Sequence, residues 1–179
     1  MDPFEVKAEL SGMTILVDTR EQDTKRSRQR LKSMGAPYER RKLNCGDYSV
    51  KCPRLDLAGE VVIERKMSLE ELSQCFFQQR GRFQKEFERA KAAGTKMYLL
   101  IEDASLDAIY WHRYGTKASP QAFIATLFAW LARYNCQILF CSELTSGRVI
   151  HDILYRELKE RLENLPDEEV KEDAEAWVD

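Results

Sequence analysis

Three ionisable side chains near the middle of the chain have the types and spacing of a site for phosphate chemistry. Glu64 and Lys66 follow the apolar residues 61–63 and are two residues apart, so they would share one face of a strand. Asp47 would reach the same face from a neighbouring strand. Two carboxylates offer the oxygen ligands that Mg²⁺ prefers, with water and substrate phosphate at its other positions. The lysine can hold the attacking water and offset charge that builds on phosphorus, so the pattern indicates nuclease chemistry.

The same residues also have a simpler interpretation, because carboxylate–lysine pairs at the end of a surface strand are usually solvated ion pairs that contribute little. Three further features favour a site. Residues 15–21 form a second apolar strand that ends in charged groups, and open α/β sheets place their sites at such ends. Gly46 supplies a flexible backbone position before Asp47. Ser68 and Glu71 have the spacing of a helix N-cap and capping box directly after the proposed site.

In order along the chain, Val17-Asp18-x-Arg20-Glu21, Gly46-Asp47-Tyr48 and Glu64-Arg65-Lys66 resemble the nuclease domain of the XPF family of structure-specific endonucleases. This family is a branch of the PD-(D/E)XK superfamily. The similarity continues through Gly81-Arg82-Phe83 and the strand at residues 97–102, and it covers residues 13–160. The chain departs from the family signature at Glu70, where the family has an aspartate. It also ends without the tandem helix-hairpin-helix domain of many members, so it resembles the stand-alone members of bacteria and phages.

This resemblance implies a metal-dependent DNA endonuclease on a restriction-endonuclease-like α/β fold, with a central mixed β-sheet flanked by helices. The implied products carry a 3′-hydroxyl and a 5′-phosphate, and the implied substrates are branched, flap or nicked DNA. Recombination, repair and phage genome processing are all compatible with this activity. The alternative is a noncatalytic DNA-binding or dimer-partner subunit of a nuclease complex. Because inactive partners in this family lose the Asp and Glu-Arg-Lys groups, which are all present here, the enzyme is favoured.

The resemblance also assigns roles to the charged residues. The implied Mg²⁺ or Mn²⁺ ligands are Asp47 and Glu64, helped by the backbone carbonyl of Arg65, with Asp18 as a third carboxylate that acts directly or through water. Lys66 would orient the nucleophilic water and stabilise the pentacoordinate phosphorus. Arg20 and Arg65 would contact phosphate or brace the carboxylates, and Glu21 would hold Arg20 or Lys66. The predicted catalytic residues are therefore Asp18, Arg20, Glu21, Asp47, Glu64, Arg65 and Lys66.

The net charge of −2 conceals an uneven distribution. Residues 166–179 contain seven acidic residues and one lysine, so the rest of the chain has 27 basic and 23 acidic residues. Basic residues cluster at positions 25–32 and 40–42, which are close in sequence to Asp18 and Asp47. Such a cluster is the electrostatic footprint expected of a phosphodiesterase, although an arginine-rich helix is also a common solvated face. The predicted DNA contacts are Arg26, Arg28, Arg30 and Arg82.

Length and composition favour one cytoplasmic domain. A chain of 179 residues with 44% hydrophobic and 32% charged content is typical of a globular protein. We expect a nuclease domain at residues 1–165, with its core at 13–163, and an acidic tail at 166–179 that is flexible or limits nonspecific DNA binding. No signal peptide and no apolar run of membrane-spanning length is evident. Five cysteines without a C-x-x-C pair argue against a structural zinc site and favour reduced thiols.

Hydrophobic periodicity predicts alternating strands and helices. Strands are expected at residues 14–18, 38–43, 48–51, 61–65, 96–102 and 137–141, the second to fourth of them as a meander. Helices are expected at 24–34, 68–93, 119–134 and 145–162, with Gly35 ending the first and Gly81 interrupting the second.

Two aromatic segments leave alternatives open. The helix with Phe123, Leu127, Trp130 and Leu131 has more large apolar groups than one sheet face needs. Such a stripe is usually core, but XPF-type domains pair through apolar helices, so a homodimer with Trp130 in its interface is predicted. A separate protein could otherwise provide specificity. Residues 111–114, Trp-His-Arg-Tyr, form a loop that could touch DNA or simply pack against the domain.

Overall fold

A six-stranded mixed β-sheet with helices on both faces organises residues 1–165, the part of the chain that the computed structural model describes. The strands are β1 (Thr14–Val17), β2 (Tyr38–Arg40), β3 (Tyr48–Lys51), β4 (Val61–Lys66), β5 (Lys96–Glu102) and β6 (Gln137–Cys141). The helices are α1 (Pro3–Ser11), α2 (Lys25–Met34), α3 (Leu69–Phe77), α4 (Arg80–Ala92), α5 (Leu106–Tyr110), α6 (Pro120–Tyr134) and α7 (Glu143–Glu163). The predicted α/β class and central mixed sheet are confirmed. The predicted acidic tail lies outside the described residues.

The strands are ordered β2-β1-β3-β4-β5-β6 across the sheet. β3 is antiparallel to both β1 and β4, whereas β4, β5 and β6 are parallel to one another. The predicted meander is wrong at its first strand, because β2 lies at the sheet edge and pairs in parallel with β1. Parallel neighbours need a crossover connection, and α2 provides the one between β1 and β2.

The side chains of β4 alternate between two hydrophobic cores. Val62 packs in the core that contains residues of α3, α4 and α6. Val61 and Ile63 pack in the core that contains residues of α2 and α7. By the same alternation, Glu64 and Lys66 project on the Val62 side of the sheet, and Arg65 projects on the opposite side. The strand therefore delivers different charged groups to the two faces.

Capping residues set the ends of the helices that follow β1 and β4. Thr24 caps α2 by accepting a hydrogen bond from the Ser27 amide, and Gly35 ends this helix with a φ of +67°. Ser68 caps α3 by accepting a hydrogen bond from the Glu71 amide at 3.3 Å. The predicted Gly35 stop and Ser68 N-cap are confirmed. The predicted capping box at Glu71 is wrong, because the Glu71 side chain accepts a hydrogen bond from the Met67 amide at 2.6 Å rather than from the Ser68 amide. No helix within residues 1–165 is both long and apolar enough to cross a membrane.

The predicted helix at residues 68–93 is two helices. Its break falls at residues 78–79, between α3 and α4, rather than at Gly81, which lies inside α4. This break allows α3 and α4 to place Phe76 and Phe83 side by side, with ring centroids 5.9 Å apart. The sequence pattern also did not reveal α1 or the five-residue α5, because neither carries a long apolar period.

Trp130 of α6 lies inside the molecule. It is fully buried, and its ring lies 5.0 Å from that of Phe76 and 5.9 Å from that of Phe83. The predicted interface role of Trp130 is therefore wrong, because no surface of its side chain remains for a partner. Phe128 and Leu131 form the outward face of the helix, each with 43% of its surface exposed.

Candidate active site

A cavity of about 280 Å³ opens between the end of β4 and the helices α3 and α4. Its charged lining comes from several segments that are distant in sequence. The carboxylates are Asp47, Glu64, Glu71 and Glu86, and the cations are Arg20, Lys66 and Arg82. The structure thus brings together Asp47, Glu64 and Lys66, the three side chains whose spacing first suggested phosphate chemistry.

Gly46 makes the close approach of Asp47 to Glu64 possible. Its φ is +72°, and a Cβ added there would lie 2.8 Å from Cβ of Val62, so a larger residue would meet both strain and a clash. The Asp47 amide then donates to the Ile63 carbonyl at 2.8 Å. One carboxylate oxygen of Asp47, Oδ2, accepts a hydrogen bond from the Arg65 amide at 2.8 Å. These bonds hold the Asp47 carboxylate beside the end of β4.

Glu64 and Lys66 form a buried ion pair, with 4% and 8% of their surfaces exposed. The Lys66 Nζ also lies 4.9 Å from the centroid of the Phe83 ring, a cation–π contact. Burial and the nearby Asp47 raise the pKa of Glu64. Burial opposes the charged form of Lys66, but Glu64 and Asp47 outweigh it and raise the pKa of this lysine. The ammonium is therefore held in its charged form by its ion pair with Glu64 and by the negative charge of Asp47.

The Asp47 carboxyl is also shifted towards its neutral form. Burial and the negative charge of Glu21 raise its pKa, and Lys66 offsets this only in part. The raised pKa values of Asp47 and Glu64 show that Lys66 alone does not compensate for the burial of both carboxylates. Within residues 1–165, no set of three or more His, Cys, Asp or Glu side chains is arranged to hold a metal ion. The protein oxygens at this cavity could therefore provide only part of a coordination shell.

Arg65 lies on the opposite face of β4, in a buried ion-pair network. Its guanidinium lies 3.5 Å from Glu21 Oε1 and 3.4 Å from Glu102 Oε2. Arg30 bonds to the same two carboxylates, each at 2.9 Å, and to the Tyr48 hydroxyl at 3.1 Å. Glu21 therefore holds Arg30 and Arg65 rather than the predicted Arg20 or Lys66. The network braces the back of the strand that delivers Glu64.

Asp18 does not line the cavity, which argues against the predicted direct ligation of a metal, and its water-mediated role stays a prediction. Its side chain is buried outside the cavity and accepts hydrogen bonds from the Arg20 Nε at 2.7 Å and the Leu43 amide at 2.7 Å. Although burial favours the neutral form, these bonds lower the pKa of Asp18. The carboxylate is thus occupied in holding two loops. Arg20 itself lines the cavity, with its side chain half exposed.

Glu86 is a cavity residue that the sequence analysis missed. It lies on α4, and its Oε1 accepts a hydrogen bond from the Gly46 amide at 3.0 Å. The same oxygen lies 4.0 Å from the Arg20 guanidinium. One signal in the sequence could have found it, because residues four apart share a helix face and Glu86 follows Arg82 at that spacing.

The predicted DNA contacts differ in their exposure. Arg82 is exposed at the cavity mouth, and Arg28 is exposed on α2, where it pairs with Asp23 at 3.2 Å. Arg26 is partly buried and bonds to Glu102 at 2.7 Å. The prediction at Arg30 is wrong, because this side chain is 2% exposed and fully committed to the buried network.

The chain is similar to known proteins both in sequence, through a family model, and in structure. A family model described as the ERCC4 domain matches residues 17–152. XPF from Aeropyrum pernix has a similar structure, with a TM-score of 0.61 and 20% sequence identity over 84% of this chain and 67% of that one. A structure described as XPF from Aeropyrum pernix, complex with DNA, has a TM-score of 0.60 and 19% sequence identity, over 86% of this chain and 68% of that one. No curated protein matches by sequence.

Proposed function

This chain belongs to the ERCC4 domain family, and from that membership we propose that it is a metal-dependent DNA endonuclease acting at branched, flap or nicked DNA. One observation carries the proposal. A single cavity brings together the carboxylates of Asp47 and Glu64 and the ammonium of Lys66, with exposed Arg82 at its mouth. This combination suits hydrolysis of a phosphodiester, whose charge must be neutralised while water attacks phosphorus.

The residues fit a divalent cation. Asp47 and Glu64 offer hard oxygen donors, and the raised pKa of both carboxyls means that a nearby cation would relieve their burial and mutual repulsion. Mg²⁺ is commonly held by one or two carboxylates, with waters and substrate phosphate completing its shell. Two protein carboxylates are therefore sufficient. When bound, the cation would polarise the phosphoryl oxygen and lower the pKa of an attacking water.

The remaining side chains would position the substrate and the nucleophile. Lys66 is fixed by Glu64 and by the Phe83 ring, so its ammonium would orient the water and offset charge on phosphorus. Arg82 and Arg20 would contact the phosphates on either side of the scissile bond. DNA as the substrate is supported by the similar Aeropyrum pernix structure described as a complex with DNA.

Cleavage assays on the wild type and on Asp47→Asn and Glu64→Gln variants test the proposal. Labelled flap, fork, nicked and four-way DNA would be incubated with Mg²⁺, Mn²⁺ or EDTA, and DNA affinity would be measured separately in EDTA. We expect metal-dependent cleavage by the wild type and losses of several kcal/mol of transition-state stabilisation, roughly 100-fold in rate or more, in both variants. DNA affinity and far-UV circular dichroism should be retained.

A matched control is Asp152→Asn, which neutralises a carboxylate with 77% of its side-chain surface exposed on α7. It should cleave at the wild-type rate. Wild-type rates in both cavity variants would refute the assignment of the site. DNA binding without cleavage by the wild type, with either metal, would instead identify a noncatalytic subunit.

A further inference from the structure

The segment from Tyr110 to Lys117, called here the aromatic loop, presents two large aromatic side chains to solvent. Trp111 is 71% exposed and the adjacent Tyr110 is 54% exposed. Tryptophan is usually buried over most of its surface, so two such neighbouring rings offer an uncovered apolar area of unusual size. The other large aromatic of the loop, Tyr114, is instead buried against Phe123, with ring centroids 5.1 Å apart.

Backbone and side-chain contacts fix the shape of this loop. The Trp111 amide donates to the Asp107 carbonyl at 2.9 Å, and the Arg113 amide donates to the Ala108 carbonyl at 2.7 Å. The Tyr114 hydroxyl donates to the Ala118 carbonyl at 2.7 Å. His112 adopts a φ of +52°, a left-handed conformation that costs energy in a non-glycine residue and persists only when its surroundings enforce it. Trp111 is therefore held outward by an ordered turn.

The aromatic loop is attached to the helix that borders the candidate active site. The Gly115 amide donates to Oε1 of Glu70 at 2.7 Å, and the hydroxyls of Thr116 and Ser73 lie 2.8 Å apart. Glu70 and Ser73 belong to α3, and the next residue, Glu71, lines the catalytic cavity. Glu70, which replaces the aspartate of the family signature, thus serves as the anchor of the loop.

The charge of the aromatic loop favours a partner that carries phosphate. Arg113 and Lys117 are exposed, and residues 110–117 contain no carboxylate. Exposed aromatic rings beside exposed cations are the combination that binds single-stranded nucleic acid, because bases stack on the rings while phosphates meet the cations. An intact duplex hides the faces of its bases, so it could not cover Trp111 in this way.

We propose that the aromatic loop binds unpaired nucleotides of a DNA substrate next to the catalytic cavity, with a base stacked on Trp111. The inference rests on the proposed nuclease function for its choice of DNA. It adds a reason for preferring flaps and forks over nicked duplex, since only the former present unpaired bases beside the cut.

Binding assays without catalysis test the loop separately from the nuclease. Fluorescence anisotropy in EDTA would compare single-stranded, forked and fully duplex DNA with the wild type, Trp111→Ala and the double variant Arg113→Glu/Lys117→Glu. Loss of one stacking contact should weaken single-strand and fork binding about tenfold and leave duplex binding within about twofold. Phe4→Ala is the matched control, because Phe4 is 86% exposed on α1 and should have no effect.

Tryptophan fluorescence supplies a second measurement. In a Trp177→Phe chain the remaining tryptophans are Trp111 and the buried Trp130. Single-stranded DNA should quench this emission and protect it from acrylamide, whereas duplex DNA should not. Unchanged DNA affinity in Trp111→Ala, or absence of quenching, would overturn the proposal and leave the loop to a protein partner. The binding assays contain EDTA, so their result does not depend on cleavage. If the wild type cleaves DNA in the metal-containing assay but Trp111→Ala binds DNA normally, only the proposal for the loop is refuted. If DNA binding depends on Trp111 but the wild type does not cleave, only the nuclease function is refuted.

Discussion

At the residue scale, the buried ion pair of Glu64 and Lys66 affects both the stability of the fold and the proposed catalysis. Removing one partner of a buried ion pair leaves an uncompensated charge, which usually costs more than the pair contributes. Here Asp47 is close enough to raise the pKa of both partners. The charges of Asp47, Glu64 and Lys66 therefore depend on one another. For any variant of these residues, both metal affinity and turnover must be measured.

Lys66→Met keeps much of the side-chain stem and removes the charge. We expect metal affinity to be kept or increased, because a competing cation is lost, while turnover falls roughly 100-fold as for one transition-state contact. Calorimetric Mn²⁺ titration and single-turnover cleavage in saturating Mn²⁺ measure the two effects. Lys85→Met, at an exposed position of α4, is the control. Weak metal binding with normal turnover at saturation would make Lys66 a structural counter-ion.

Glu86 gives a second prediction, since its hydrogen bond to the Gly46 amide positions the neighbouring Asp47. Glu86→Gln retains an acceptor oxygen and should keep turnover within about threefold, whereas Glu86→Ala should lower it roughly tenfold, as for one lost hydrogen bond. Single-turnover rates and Mn²⁺ affinity should be measured for both. Equal losses in the two variants would show that the charge of Glu86, rather than its hydrogen bond, is required.

Glu64 and Lys66 could be predicted from the sequence because their two-residue spacing on β4 fixes a common face, and Asp47 could be added because it precedes a neighbouring strand. It could not find that Asp18 is consumed by hydrogen bonds to Arg20 and Leu43, because those contacts depend on how two loops fold back. Glu86 was missed for the same reason. Its contact with Gly46 spans 40 residues, so only its four-residue spacing from Arg82 could have linked it to the site.

At the element scale, α2 shows how composition can mislead. Its arginines look alike in sequence, but its buried face consists of Ser27, Arg30, Leu31 and Met34. This helical spacing could have marked Arg30 as internal. The spacing does not, however, reveal what neutralises the buried charge, because the partners Glu21 and Glu102 lie 9 and 72 residues away. Capping signals, by contrast, are local, and they set the C-terminal end of α2 and the start of α3 as predicted.

Charge changes on α2 should separate its two faces. Arg28→Glu should weaken DNA binding and flatten the dependence of log K on log salt, because each neutralised phosphate releases counterions. Arg30→Met should leave that slope unchanged but destabilise the fold by about 3 kcal/mol, since it breaks a buried network. Anisotropy titrations over a range of NaCl and urea denaturation provide the measurements. An unaltered slope in Arg28→Glu would mean that α2 is a solvated face.

At the scale of the whole molecule, the sheet separates a core beneath the candidate site from a core that braces its back. The family motifs were sufficient to predict this architecture, because three ordered motifs fix the strands that carry them. The position of β2 and the break between α3 and α4 were not predictable in this way. Both depend on packing between distant segments rather than on local preference.

Self-association through α6 remains a prediction, with Phe128 and Leu131 in the interface in place of the buried Trp130. Phe128 and Leu131 are three residues apart on the exposed face of α6, and a symmetric dimer is the commonest way to cover such a face. Sedimentation velocity at micromolar concentrations should show a dimer for the wild type and a monomer for Phe128→Glu. Trp130→Ala should instead lower stability by about 3–5 kcal/mol as a core truncation. A wild-type chain that sediments only at 20.9 kDa would contradict the dimer.

The alternation of β4 constrains the length of this strand as well as its composition. A substitution at Glu64 alters only the cavity, and a substitution at Arg65 alters only the network behind it. Insertion or deletion of one residue within β4 would instead exchange the two faces, placing Arg65 in the cavity and Glu64 among the arginine partners. If the change precedes Val62, this apolar residue would move at the same time into the opposite core. Among engineered or related chains, an unbroken β4 is therefore as informative about a working site as the identity of any single charged residue.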